Sequence, residues 1–371
     1  MQAKYLHIVS FNIPFPADYG GVIDIYYKIK ALHHAGVHII LHCFEYGRQT
    51  SKELEDLCFK VYYYHRKSGL NYFLKTDPYI VVTRVSNSMP NNILKDSFPV
   101  LFEGIHTTGM LNRCKEANKK TIVRAHNIEH DYYHKLARTE KNLFKKLFLR
   151  TESRKLKHYE GKLEHADFIL GIAKHETTYF SGKFGNAVFV PAFHRFDEVT
   201  SKPGNGDYIL FHGNLGVPEN SEAFLEMARG SLSKTTIPVV VAGKNPSKRF
   251  LKKLARYTHI RIVPNPSDSE LDKLVQNAHV NLLQTSQATG IKLKLMHALF
   301  AGRHCLVNPQ MVEGTGLQKL CCVNKSDADF INSLEGLMQT PFTDDQITER
   351  KKALKEYSNR ASAEKIIRII H

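Results

Sequence analysis

Four consecutive segments decide the fold: "LHIVSFNI" (6–13), "PFPADYGG" (14–21), "VIDIYYKIKALHHAG" (22–36) and "VHIILHCF" (37–44). The first is rich in apolar and β-branched residues and reads as a strand. The second is a turn-forming loop. In the third, Ile25, Ile29, Leu32 and Ala35 recur at helical spacing, and Gly36 closes the helix. The fourth is another strand. This β-loop-α-β order predicts parallel strands joined by crossover helices.

The same alternation continues outward. Strands are expected at "YIVVTRV" (79–85), "PVLFEGIH" (99–106), "KTIVRAHN" (120–127), "ADFILGIA" (166–173) and "NAVFVPAF" (186–193), with a long basic helical stretch from about Asp131 to His165. "HRFDEVTSKPGNGD" (194–207) is polar, carries Pro203, Gly204 and Gly206, and reads as a linker. Beyond it, "YILFHGNL", "IPVVVAG", "IRIVP", "HVNLLQT" and "HCLVN" alternate with helical segments. The expected architecture is α/β, two domains with mostly parallel sheets. The first spans 1–193, completed by the last helix at about 357–371, and the second spans 208–356.

The 371 residues suit two domains by size. The formal charge of +16 points to an anionic partner (nucleic acid, an anionic membrane surface or a phosphorylated substrate); a solvated basic surface is the alternative. No recognised nucleic-acid-binding module is visible, so nucleic acid is not the expected partner. The six cysteines form no CxxC pair, and reduced thiols in a cytosolic protein are the simplest reading. No apolar run approaches a membrane span, so any membrane contact is expected to be peripheral, on the inner face.

In parallel α/β sheets, ligands bind beyond the carboxyl ends of the strands. After the first strand, Gly20-Gly21 precedes a helix, which suits close approach of a phosphate or sugar; a plain turn is the alternative. "EGIH" places Glu103 and His106 at one strand end, and "RAHNIEH" places His126, Asn127 and Glu129 at another. His126 could accept a hydrogen bond from a substrate hydroxyl, or simply cap the next helix. Asp131 could cap the basic helix. In that stretch, Lys141, Lys145, Lys146 and Arg150 surround Leu143, Phe144, Leu147 and Phe148. The pattern fits either docking on anionic lipid or an amphipathic helix whose apolar residues face the core.

In the second half, Gly213-Asn214 ends a strand and Lys244 sits at the tip of another, both suited to phosphate or ribose. "QATGIKLKLMHALFAG" (287–302) puts Thr289, Gly290 and Ile291 before a helix, where backbone N–H groups can cradle a diphosphate. Lys292 and Lys294 add charge, and His297 shares a face with Lys294. "DSE" (268–270) is best explained by a helix capped at Ser267, not by a metal pair, and no metal site is expected.

These residues resemble the GT-B fold glycosyltransferases, close to the large retaining family four. The resemblance rests on the Gly20-Gly21 loop, "RAHNIEHDYY", "LKHYEGKLEHADFILGIAKHE", "FHGNLGVPENSEAF", "VVVAGKNP" and "GIKLKLMHALFAGRHCLVN". It implies two Rossmann-like domains facing across a crevice. It further implies a nucleotide-sugar donor, UDP- or GDP-linked, held mainly by the C-terminal domain as a substrate, with no separate cofactor. A glycan or lipid-linked acceptor would bind the N-terminal domain. Gly20 and Gly21 match the family's glycine loop, His126 the histidine that approaches the transferred sugar, and Gly290 and Ile291 the phosphate-holding backbone. Two departures stand out. The basic pair that many members carry after the first C-domain strand is absent from Asn214–Glu219. His297 replaces the glutamate that accepts the ribose hydroxyls. The expected activity is sugar transfer. The alternative is a non-catalytic GT-B subunit that binds a membrane, a glycan or a partner enzyme.

Overall fold

The computed structural model describes residues 4–285, 292–324 and 326–371. Two compact units emerge. The first holds the described residues up to Arg195 together with Asn359–His371, and the second holds those from Phe196 to Ser358.

Among the described residues of the first unit, seven strands form one sheet: β1 (Lys4–Ser10), β2 (Val37–Glu45), β3 (Lys60–His65), β4 (Val100–Glu103), β5 (Thr121–Ala125), β6 (Phe168–Gly171) and β7 (Ala187–Phe189). Their order is β3-β2-β1-β4-β5-β6-β7, and every neighbouring pair is parallel. Alternation along β1 sends Leu6 and Ile8 to one face and Val9 to the other, so each face of the sheet carries its own core. The Gly20–His34 helix lays Ile25, Ile29 and Leu32 on the first face, and the last helix, Asn359–Ile370, adds Ala363, Ile366 and Ile370 to the same core.

The second unit repeats the plan with β8 (Ile209–Asn214), β9 (Val239–Lys244), β10 (Ile260–Pro264), β11 (Val280–Leu283), β12 (His304–Val307) and β13 (Cys322–Val323), in the order β10-β9-β8-β11-β12-β13, all parallel. Winding direction reverses between β1 and β4 in one sheet and between β8 and β11 in the other. Those are the switch points at which a doubly wound sheet opens a crevice for ligands. Residues 194–207 contain no helix or strand. They are not loose: Thr200 N–H donates to Phe300 O at 2.7 Å, and Gly204 bridges to Phe342, both within the second unit.

Four expectations fail. "YIVVTRV" is not a strand, because Tyr79–Val82 is a short helix that follows Pro78. Glu152 accepts from its first N–H at 2.6 Å, and Arg84 donates to Ile80 O at 2.7 Å. These end contacts favour a turn of helix over a strand that β-branched residues alone would prefer. The third strand is instead "KVYYYH". The basic stretch is two helices, Glu129–Thr139 and Leu143–Tyr159, interrupted where Asn142 caps the second. Asp131 caps neither; Ile128 is at the N-cap and Asp131 lies in the first turn. Nor do Leu143, Phe144 and Leu147 face the core, since all three are exposed. Only from Phe148 onward does that helix pack down, against Phe73 and Tyr79. Ser267 does cap the Asp268–Asn277 helix, accepting from Glu270 N–H. No helix among the described residues is long and apolar enough to cross a membrane.

Candidate functional site

In the first unit, the strand ends beside the switch point converge on a buried charge network. Asp24 and Lys28 lie one helical turn apart on the Gly20–His34 helix, fully buried. Lys28 Nζ donates to Asp24 Oδ2 at 2.9 Å and to Glu103 Oε1, at the end of β4, at 2.6 Å. Arg124, near the end of β5, donates through Nη2 and Nε to the two oxygens of Asp24 at 2.9 and 3.2 Å, and Phe193 N–H adds a third donor at 2.8 Å. Two carboxylates thus face two cations. Burial disfavours ionised Asp24, but Arg124 and Lys28 outweigh it and hold its carboxyl well below the usual range. Glu103 is likewise held low, with Lys28 and His126 overcoming burial.

His126 is held by this network. Its Nε2–H donates to Glu103 Oε2 at 3.0 Å, and its buried Nδ1 has no partner among the described residues. With the single proton on Nε2, Nδ1 is left with a lone pair that can accept a hydrogen bond. His126 therefore does not cap the next helix. Phe11 stands edge-on to His126, ring centroids 5.8 Å apart, and tilted over His106 at 5.2 Å. His106 also has an unpartnered buried Nδ1, and burial and the nearby Arg84 keep its imidazole well below the ordinary histidine value.

The two glycines do different things. A Cβ on Gly20 would meet open space, whereas one on Gly21 would lie 2.7 Å from the Phe11 ring. Gly20 leaves the helix N-terminus accessible, and Gly21 lets Phe11 seat between the histidines.

Asp24, Glu103 and His126 have ligand atoms within 4.8 Å of one another, a spacing that would suit a divalent ion. The chemistry of the donor set argues otherwise, because the Lys28 ammonium already bonds both carboxylates.

Asn127 donates to Glu129 Oε1 at 3.5 Å, and Glu129 is buried. Burial pushes its carboxyl up to about 7, only partly offset by Asn127 and Arg84. A carboxyl that holds its proton more tightly when folded adds stability below its unfolded pKa, and this is lost as pH rises through the folded value. Wild type is therefore expected to lose up to about 3 kcal/mol, relative to Glu129→Gln, between pH ~4.5 and pH ~7. Urea unfolding at a series of pH values checks this; parallel profiles would contradict it.

In the second unit, Gly213 and Asn214 end β8 at its switch point. The Leu293–Ala301 helix projects Lys294 to this place: a Cβ on Gly213 would lie 2.8 Å from Lys294 Nζ. Lys294 donates to the neutral amide of Asn220 at 2.7 Å, and Asn220 in turn donates to Asn214 O at 2.9 Å. Burial lowers the Lys294 pKa, opposed by Glu219. Lys244 is exposed at the end of β9, opposite Asn214 in the strand register, and Lys292 is half-buried just before the helix. Thr289, Gly290 and Ile291 lie outside the described residues. His297 is buried; its Nε2 lies 2.8 Å from Asp272 Oδ1, and Phe196 stacks on its ring at 4.7 Å.

The structure thus joins Glu103 to His126 and Asn127 to Glu129, and places Gly213, Asn214 and Lys294 together. Sequence reasoning missed Asp24, Lys28, Arg124, Asn220 and Asp272. A signal existed for the first two: an acid and a base at i, i+4 beside the apolar Ile25 and Ile29 stripe.

No family model matches the chain. A curated relative, an uncharacterised 44.6 kDa protein in the cps region of Klebsiella pneumoniae, is 28% identical over 327 residues, covering 83% of this chain and 84% of that one. Among solved structures, a glycosyltransferase from Rickettsia africae superposes with a TM-score of 0.65 at 12% identity, covering 100% of this chain and 98% of that one. The lipopolysaccharide outer core galactosyltransferase WaaB gives 0.64 at 11%, covering 99% of each. HepE from Anabaena, in complex with UDP and glucose, gives 0.60 at 10%, covering 100% and 97%. At these identities the likeness is one of fold, and the fold of this chain is that of the GT-B glycosyltransferases: α/β, with two Rossmann-like domains.

Proposed function

We propose that this chain is a glycosyltransferase resembling the retaining family four. In this reading it moves a sugar from a UDP- or GDP-linked donor to a glycan or lipid-linked acceptor, without a metal. The observation that carries the reading is Lys294. An ammonium stands at the tip of β8, on a neutral amide, where a doubly wound sheet takes its ligand. It supplies at that strand end the charge lost with the basic pair after β8. In transfer it would offset the charge of the departing diphosphate.

His297 then has a role in place of the missing glutamate. It holds Asp272, so a carboxylate remains next to the altered position, ready to accept from ribose hydroxyls. On the N-terminal side, His126 Nδ1 accepts from a hydroxyl of the transferred sugar. The acceptor hydroxyl attacks on the leaving-group face, and the departing phosphate takes its proton; positioning and electrostatics supply most of the rate. The cps region of the Klebsiella relative supports a polysaccharide-building context.

The test is nucleotide binding. UDP or GDP is expected to raise the melting temperature, and Lys294→Ala to raise the nucleotide Kd roughly ten- to a hundredfold, the loss of one charged hydrogen bond. An unchanged Kd in Lys294→Ala would remove the basis of the reading.

A further inference from the structure

We propose that the first turns of the Leu143–Tyr159 helix and the adjoining 69–75 loop form a docking surface for an anionic lipid bilayer. Five large apolar side chains there face solvent: Leu143 is 78% exposed, Phe144 87%, Leu147 65%, Leu70 80% and Leu74 90%. Soluble surfaces rarely gather so many without a partner. Helix and loop are fastened together. The Phe73 ring meets Phe148 edge-on at 5.1 Å, and Lys155 Nζ donates to Phe73 O at 2.8 Å. The loop leucines are thus tied to the helix that carries the other three.

Charge selects the occupant. Lys145 and Lys146 fall between Phe144 and Leu147 on the same turn, with Lys141 and Arg150 on either side and Lys75 on the loop. Of the nearby acids, Glu140 accepts from the Asn142 N–H at 2.8 Å and Asp77 accepts from Lys162 Nζ at 3.0 Å. Cores of protein–protein interfaces are depleted of charge. A helix lying in a bilayer surface interleaves the two: apolar side chains enter the acyl boundary while lysine stems reach back to phosphates. None of these residues belongs to the donor or histidine sites, so the surface stands or falls independently of the transferase reading.

The chain contains no tryptophan, so Phe144→Trp introduces a single indole as a probe. With vesicles of phosphatidylcholine containing phosphatidylglycerol, its emission is expected to shift to the blue and to be quenched by brominated lipid. Wild type is expected to co-sediment with these vesicles at low salt, to release at high salt, and to leave pure phosphatidylcholine vesicles unbound. The triple change Leu143→Ser, Phe144→Ser, Leu147→Ser and the double change Lys145→Glu, Lys146→Glu should each weaken vesicle binding at least about tenfold, with melting temperature unaltered. Failure of wild type to bind, equal binding to neutral vesicles, or an unmoved indole spectrum would overturn the proposal. So would a triple variant that keeps vesicle binding but loses self-association, which would assign the surface to a second copy of the chain.

Discussion

Asp24→Ala is expected to destabilise the first domain by about 3–5 kcal/mol. Asp24 accepts from Arg124, Lys28 and the Phe193 backbone, all buried. Removing it leaves two cations opposed by Glu103 alone, in a place water does not reach. The cost comes less from a lost attraction than from a buried charge left uncompensated. The Phe193 N–H would also lose its acceptor. Asp24→Asn, which keeps the shape and one acceptor but not the charge, should be nearly as damaging. Urea unfolding followed by circular dichroism checks both. A loss below about 1 kcal/mol, typical of exposed pairs, would show that the network is solvated.

His126→Ala is expected to lower the turnover of sugar transfer about a hundredfold or more while leaving the donor KM nearly unchanged. In the proposed reading, alanine removes the Nδ1 acceptor for a sugar hydroxyl and leaves Gly213, Asn214 and Lys294, the residues assigned to the nucleotide, unchanged. Glu103→Gln should come close to the same loss, for a reason that can be observed. Lys28 bonds Oε1 at 2.6 Å and would hold the amide oxygen there, turning the NH2 toward His126. The amide would then donate to Nε2 and force the proton onto Nδ1, converting an acceptor into a donor. Nitrogen NMR of the imidazole would register the exchanged tautomer. A Glu103→Gln protein with that exchange but full activity would deny Nδ1 its role.

How far such groups could be read from sequence varies with how locally they are specified. Strands β1, β2, β4 and β5 announce themselves because each is an apolar run bounded by turns. "YIVV" misleads because its preference is set by Pro78 and by Glu152, far along the chain. Strand ends direct attention to Glu103 and His126, since topology alone places ligands there. Asp24 and Lys28 are legible only as a pair at i, i+4, because a single charge in an apolar segment is ordinarily assigned to the solvent face, and Arg124 stays hidden because its partner is 100 residues away. The pairing of His297 with Asp272 is invisible for the same reason, although the oddity of His297 is legible from the motif around it. Leu143, Phe144 and Leu147 show the converse, since helical spacing cannot say which face of an amphipathic helix is covered.

Transfer itself is the decisive test of the proposed activity. Purified protein would be incubated with radiolabelled UDP- and GDP-sugars and a lipid-linked glycan extract, with His126→Ala in parallel. Label is expected in the lipid-linked fraction, with the anomeric configuration of the donor retained, and little label with the variant. Equal incorporation by wild type and His126→Ala would contradict the assignment of His126. The absence both of transfer and of any stabilisation by UDP or GDP at millimolar concentration would contradict the transferase reading and leave a non-catalytic GT-B subunit.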